Sequence, residues 1–273
     1  MFAVDSSNLA WVPAGVDTKR ANPARVYDYL LGGSHNFLAD QDAARAIAAV
    51  EPGVASFARA NRAFLGRAVR FLASEGIRQF LDIGSGIPTE GNVHQVAQEA
   101  APGSRVVYAD IDPIAVAHSQ AILAGNPDAA ITQADLREPA EILGSEEVTG
   151  LLDLDRPVAV LLVFVLHFLG DGDRPHALVA RLRDALVPGS CLVLSHATSD
   201  GMDEAAQAMK KMYDRTVSTA IHPRPYAEIL RFFDGFELID PGLVPVPQWR
   251  PDTTDAAPEG FWGSYAAVAR KPA

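Results

Sequence analysis

Cysteine is nearly absent from this 273-residue chain, Cys191 being the only one. That excludes an internal disulfide and makes a reducing cytoplasm the expected location. Positive charge is also scarce: 23 Lys and Arg stand against 34 Asp and Glu, for a formal net charge of −11. Such a balance repels phosphate backbones, so nucleic acid is not expected as a general partner and a small molecule is. Long apolar runs are missing too. The longest, Val158 to Leu166, is too short to cross a bilayer and reads as a buried strand, so no membrane partner is expected. The opening MFAVDSSNLAWVPAG has no basic stretch leading into a long apolar run, and no secretory signal is expected from it. Nowhere do Cys and His have metal-ligand spacing, and no hydroxyl stands in a nucleophile elbow. What is present suits a large α/β protein with additions, 48% hydrophobic and 21% charged.

Residues 1–76 are expected to form an N-terminal helical extension of the same domain. After an irregular lead (1–21), Asn22-Pro23 reads as an N-cap followed by Pro in the first turn, and Gly32-Gly33 ends that helix. A second helix is expected from about Asp40 to Pro52-Gly53. The third, 57–73, puts Phe57, Phe64, Leu65, Ala68, Phe71 and Leu72 on one face and Arg59, Arg62, Arg67 and Arg70 on the other. That arginine face reads as solvated surface, with Arg62 the best candidate if it instead holds a carboxylate or phosphate. From residue 77 onward strands and helices alternate. Strands are expected at 78–83, 105–110, 130–134, 157–165 and 190–196, with helices at 92–100, 113–124, 138–143 and 175–187. That alternation predicts parallel pairing through crossovers over 77–273. Helices at 203–219 and 226–233 follow, then strands at 236–244 and 264–271 around a Pro-rich loop at 245–258.

The most informative stretch is FLDIGSGIPTEG (80–91), a strand running into Asp82, Gly84 and Gly86. A glycine turn after a strand lets backbone approach a nucleoside-bearing ligand closely. A dinucleotide fingerprint would need a third glycine where Thr89 stands, which counts against NAD. The alternative D-x-G-x-G-x-G pattern, typical of proteins that bind S-adenosylmethionine (SAM), is met at Asp82, Gly84 and Gly86, with Pro88 in its last place. Two later acids strengthen it. VVYADIDP (106–113) ends in Asp110 and Asp112, and ITQADLR (131–137) carries Asp135. Both Asp110 and Asp112 enter the candidate cofactor set. Asp110 follows the apolar run directly and suits the ribose hydroxyls, while Asp112 also suits the cap of the helix beginning at Pro113. Asp135 suits the adenine amino group, or else a helix cap.

With these motifs in view, the chain resembles a family of SAM-dependent methyltransferase-like proteins, mostly actinobacterial and without a settled substrate. The likeness runs almost end to end, through ARVYDYLLGGSHNFLAD (24–40), NRAFLGRAVRFL (61–72), the glycine turn, VVYADIDP, PVAVLLVFVLHFL (157–169) and GLVPVPQWRP (242–251). The resemblance implies a class I, Rossmann-like fold: seven strands, mostly parallel, with the last (264–271) antiparallel. It also implies SAM as cofactor, with Gly84, Ser85 and Gly86 against its methionine and ribose. Asp110 would take the ribose hydroxyls, Ile111 the adenine face, Asp135 and Leu136 the adenine edge. Phe164 would lie beside the sulfonium centre.

Methyl transfer needs alignment, exclusion of water and, for some acceptors, a proton acceptor. His167, just past the fourth strand, is the candidate general base, or else a histidine that orders its loop. Tyr27, Tyr29, His35 and Asn36 suggest a lid over the pocket with Tyr27 nearest the cofactor, core packing of the tyrosines being the alternative. Trp249 and Arg250 are placed at the acceptor site, His222-Pro-Arg-Pro at the start of a helix, and Cys191 in the core. The expected function is methyl transfer from SAM to a small-molecule acceptor. Its rivals are a SAM-binding sensor or partner subunit without turnover, and an NAD-dependent oxidoreductase.

Overall fold

The structure, a computed structural model, describes residues 16–88, 91–252 and 263–273. Thr89 and residues 253–258 of the Pro-rich loop lie outside the described residues, as does most of the 1–21 lead. The chain opens with α1 (Pro23–Leu30), α2 (Leu38–Val50) and α3 (Val54–Ser74). β1 (Gln79–Ile83), α4 (Val93–Ala100), β2 (Arg105–Asp110), α5 (Pro113–Leu123) and β3 (Ala129–Gln133) follow. Next come α6 (Pro139–Gly144), α7 (Glu146–Leu151), β4 (Ala159–Val163), α8 (Pro175–Asp184) and β5 (Cys191–Ala197). The chain closes with α9 (Glu204–Thr216), α10 (Tyr226–Leu230), β6 (Glu237–Leu238), β7 (Val244–Pro245) and β8 (Ser264–Arg270).

The sheet runs β3-β2-β1-β4-β5-β8-β6, with β7 also paired to β8. β1 to β5 are parallel, and β8 is antiparallel to β5, β6 and β7. Side chains alternate across it with the period of two that strands impose. Phe80, Val106, Leu161 and Val193 point to one layer, with Phe64, Leu72 and Trp249. Leu81, Val107, Leu162 and Leu194 point to the other, with Leu178, Leu182 and Phe232. The central strands are buried on both faces, as a parallel sheet sandwiched by helices must be.

Several expectations are corrected here. Among the described residues the sheet has eight strands where seven were expected, because residues 236–244 do not form one strand. After Leu238 the chain turns, with Gly242 N donating to Ile239 O at 2.8 Å, and resumes as β7. α7 was not expected; its Ser145 N-cap accepts from Val148 N at 3.3 Å. α9 ends at Thr216, short of the expected 219. The arginine face of α3 is not uniformly solvated. Arg67 is buried and donates to Trp249 O at 2.9 Å and Val246 O at 3.2 Å, while Arg70 stays exposed against Asp252. Arg67 thereby ties α3 to a loop 179 and more residues away.

The N-terminal helices are joined by buried polar side chains. Arg25 pairs with Asp40 at 3.2 Å, both nearly sealed from solvent, and Asp40 also accepts from Asn22 N and Phe37 N. Asp28 accepts from His35 N at 2.9 Å and Asn36 Nδ2 at 2.8 Å. Gly33 is obligatory beside it, since a Cβ there would fall 2.0 Å from Asp28 Oδ1. Asn22 caps α1 as its sequence predicts, accepting from Ala24 N at 2.8 Å.

Candidate active site

A cavity of about 640 Å³ opens at the carboxyl ends of β1, β2, β3 and β4, where parallel sheets bind their ligands. Its volume falls in the range of about 300–1,000 Å³ usual for small-molecule sites. The glycine turn forms one wall. Gly84 has φ +72° and Gly86 φ +67°, a region L side chains rarely adopt. Gly84 also lets two segments touch: a Cβ there would lie 2.3 Å from Val165 Cγ2. The turn is therefore pressed against the chain leaving β4, and only glycine permits that approach.

Asp110 holds the turn in place. Its carboxylate accepts from Gly86 N at 2.7 Å and from Asp112 N at 2.8 Å. Burial pushes its pKa up to about 6 against those hydrogen bonds. Asp112 caps α5, one oxygen accepting from Ile114 N at 2.8 Å, while Oδ2 is buried without a hydrogen-bond partner. Asp82 is pushed up to about 7, chiefly by burial; the Arg62 guanidinium lowers it and Asp110 raises it further. Arg62 bonds Asn92 Oδ1 at 3.0 Å, and its Nε is buried and unpartnered at the cavity wall. Ser85 Oγ is buried and unpartnered there as well.

Ile111 is 55% exposed, an apolar surface in the same lining, and Leu136, also of the lining, is buried. Asp135 does not cap α6, whose N-cap position is Glu138. Both its oxygens face Arg137, with contacts of 2.9 and 3.0 Å to Nε, and Arg137 N donates to it at 2.9 Å. Burial would raise this carboxyl, but the Arg137 hydrogen bonds outweigh that and hold it below its usual range.

Rings gather past the end of β4. Phe164 has φ +58°, an unusual backbone state for a bulky residue, and its amide donates to Ser195 O at 3.0 Å. Its ring centroid lies 4.9 Å from Phe57, 4.1 Å from His167 and 6.3 Å from Tyr27. All four residues line the cavity. His167 is buried with Nδ1 unpartnered, and its pKa lies well below the usual value because burial, His196, Arg224 and His222 all oppose a charged ring. Tyr27 donates to Ala58 O and accepts from Asn61 Nδ2, each at 3.0 Å, and burial raises its phenol. Asn61 in turn accepts from Ser195 Oγ at 2.7 Å, so a buried chain of side chains runs from β5 through α3 to α1.

The motif reading missed Asn61, Ser195, Asn92 and Arg224. Arg224 is buried and donates to Leu169 O at 2.9 Å, to Leu166 O at 3.4 Å and to His196 Nε2 at 3.1 Å, clamping the loop that carries His167. Its setting in His222-Pro-Arg-Pro gave no hint of this. Trp249 and Arg250 correct the acceptor-site expectation. Trp249 is fully buried against Phe64 and Phe71, Arg250 stacks on Phe71 at 4.0 Å, and neither lines the cavity. Tyr29 packs at the edge of α2, the His35 ring lies tilted against that of His118 with centroids 3.9 Å apart, and Asn36 is locked to Asp28. Cys191 is buried in β5. Among the described residues no group of His, Cys, Asp or Glu could hold a metal ion, and no helix is long and apolar enough to cross a membrane.

A glycine turn braced by an acid at the end of β2, on a 3-2-1-4-5 parallel sheet closed by an antiparallel strand, defines a Rossmann-like protein of the SAM-dependent methyltransferase class. The orphaned polar atoms of Ser85, Arg62 and Asp112 along the cavity, with exposed Ile111 beside them, fit a zwitterionic nucleoside of that kind. The chain belongs to the S-adenosyl methyltransferase family, whose sequence profile matches residues 9–272. It is similar to a protein from Thermobifida fusca YX described as a candidate methyltransferase: 40% identity, 97% of this chain and 100% of that one covered, TM-score 0.90. It is likewise similar to a DUF574-family protein from Streptomyces avermitilis MA-4680, at 42% identity over 94% and 99% of the two chains, with TM-score 0.89. No curated protein sequence matches it. The cofactor is SAM, and the activity is SAM-dependent methyl transfer.

Proposed function

We propose that this methyltransferase acts on a small molecule held inside the cavity, between the glycine turn and the N-terminal helices. The observation that carries this is the continuity of the cavity: the turn touches the chain leaving β4, whose Phe164 faces Tyr27 of α1 and Phe57 of α3, with His167 lining the same cavity. Residues 1–76 serve as the lid of a single domain, with 77–273 as its cofactor-binding part. A macromolecular acceptor would have to thread one reactive group beneath α1 to α3, and the acidic surface repels nucleic acid. The single cysteine suits a cytoplasmic location.

In this reading SAM supplies a methyl group on a positively charged sulfur, a good leaving group. Gly84, Ser85 and Gly86 line its methionine and ribose, and Arg62, with an unsatisfied Nε, takes its carboxylate. Asp110 keeps free lone pairs for the ribose hydroxyls after bracing the turn, with Asp112 Oδ2 beside it. Ile111 and Leu136 sandwich the adenine, and Asp135 addresses its amino edge. Phe164 and Tyr27 exclude water near the reacting carbon. His167, uncharged across neutral pH, accepts the hydrogen bond of the acceptor's nucleophile.

The test is transfer of labelled methyl from SAM into a metabolite extract, with Asp110→Ala as control. A labelled low-molecular-mass product that the variant fails to make is expected. Label confined to protein or nucleic acid would overturn the small-molecule reading. Tight SAM binding with no product in any fraction would favour a sensor or partner subunit.

A further inference from the structure

The cavity wall farthest along the chain from the glycine turn is apolar. Leu30, Ile47, Val54, Met209 and Tyr213, from α1, α2, α3 and α9, pack around one another and all line the cavity. Phe57 and Phe164 line the same cavity, their rings 4.9 Å apart.

Charge is distributed the other way. Asp82, Asp110, Asp112 and Asp135 lie in and after β1, β2 and β3, at the turn. Glu51 and Asp173 line the cavity as well, Glu51 Oε1 accepting from Gly53 N at 3.1 Å. The cations lining the cavity among the described residues are Arg137, already paired with Asp135, and Arg62, beside Asn92 and Asp82. With Arg62 committed to the carboxylate of SAM, an anionic acceptor would enter a site with several acids and no cation to spare. A cationic one would sit against a sulfonium and lose its water to an aliphatic wall. An uncharged ring has neither cost, and it gains offset or edge contacts with Phe57 and Phe164.

We propose that the methyl acceptor is an uncharged, flat aromatic molecule carrying a hydroxyl, with its ring on Phe57 and Phe164 and its far edge against Met209 and Tyr213. This rests on the methyltransferase reading above. The hydroxyl faces His167, whose ring lies 4.1 Å from that of Phe164. A flat shape is set by the rings, and neutrality by the charges left without partners.

The experiment is calorimetric titration of the full chain. S-adenosylhomocysteine is titrated first; the loaded protein then receives 2-naphthol, 2-naphthoate or 2-naphthylmethylammonium. 2-Naphthol is expected to bind roughly tenfold or more tighter than either charged analogue. Met209→Lys, which places a cation on the apolar wall, is expected to shift the preference toward 2-naphthoate by roughly tenfold with S-adenosylhomocysteine still bound. Equal or tighter binding of a charged analogue to the native protein overturns the acceptor class alone, as does no binding of 2-naphthol at about 1 mM. Failure of S-adenosylhomocysteine itself to bind overturns the methyltransferase reading and this inference with it.

Discussion

The two walls of the cavity are held by different kinds of bond. At the glycine turn, backbone does most of the binding: Gly84 and Gly86 take left-handed φ, and Asp110 accepts from two amides within a 27-residue span of chain. The N-terminal wall hangs on buried side-chain pairs instead, Arg25 with Asp40, Tyr27 with Asn61, Asn61 with Ser195 and Arg62 with Asn92. Backbone geometry forces particular residues at a few adjacent positions. Side-chain pairs join segments up to 134 residues apart and leave no local pattern. The turn is thus built to fit one cofactor, and the wall can change its lining while its anchors stay.

The sharpest way to break the wall without touching the turn is Asp40→Ala. It leaves Arg25 buried without a countercharge and removes the acceptor for Asn22 N and Phe37 N. A loss of about 3–5 kcal/mol is expected from urea unfolding. Gly84→Ala strikes the turn. The new Cβ meets Val165 and a positive φ together, so S-adenosylhomocysteine affinity should fall roughly 100-fold, about 2.7 kcal/mol. Gly86→Ala offers the contrast, having open space around its Cβ, and should cost only about 1–2 kcal/mol of backbone strain. Tyr27→Phe strands Ala58 O and Asn61 Nδ2 and should destabilise by about 1–3 kcal/mol, read as a lower melting temperature.

The carboxylates of the turn add a pH dependence of the same sign as that of Asp28 and Asp40 in the wall, whose carboxyls burial also raises. Asp82 and Asp110, raised by burial from 3.8 to about 7 and about 6, hold protons more tightly folded than unfolded. Their contribution is complete below pH 3.8 and is lost as pH rises through about 6 and then about 7. Asp82→Asn should therefore flatten the fall of melting temperature between about pH 4 and pH 7. An unchanged slope would show that Asp82 is not the buried acid described. Ile111→Ala should have the smallest effect, weakening S-adenosylhomocysteine by about threefold while stability stays within about 0.5 kcal/mol.

The same contrast explains what could be read in advance. Strand-and-helix alternation, the Asn22-Pro23 start of α1 and the Gly84, Gly86 and Asp110 spacing all follow from local rules, and each was legible in the sequence. So was the assignment of Asp112 as the cap of α5. The end of residues 236–244 was not, because a turn at Ile239–Gly242 splits a run whose composition reads as one strand. Arg67 looked like solvated surface because helical periodicity reports a side chain's direction from the axis. Whether a distant loop waits there with free carbonyls is tertiary information. Trp249 was misplaced for the same reason: a Trp beside Arg in a Pro-rich loop suggests a ligand, but α3 supplies the rings that bury it. Arg224 and Asn61 lie in stretches that were singled out, but their roles in holding the site depend on partners far away in the chain.

The central claim is that Asp110 and the glycine turn form the site for SAM. It is tested most directly by titrating S-adenosylhomocysteine into the native protein and into Asp110→Ala, with circular dichroism melting to show that both are folded. Binding to the native chain is expected, with a loss of roughly 30-fold or more in the variant and NAD binding neither. Equal affinity in the two folded proteins, or binding of NAD in place of S-adenosylhomocysteine, would contradict the claim.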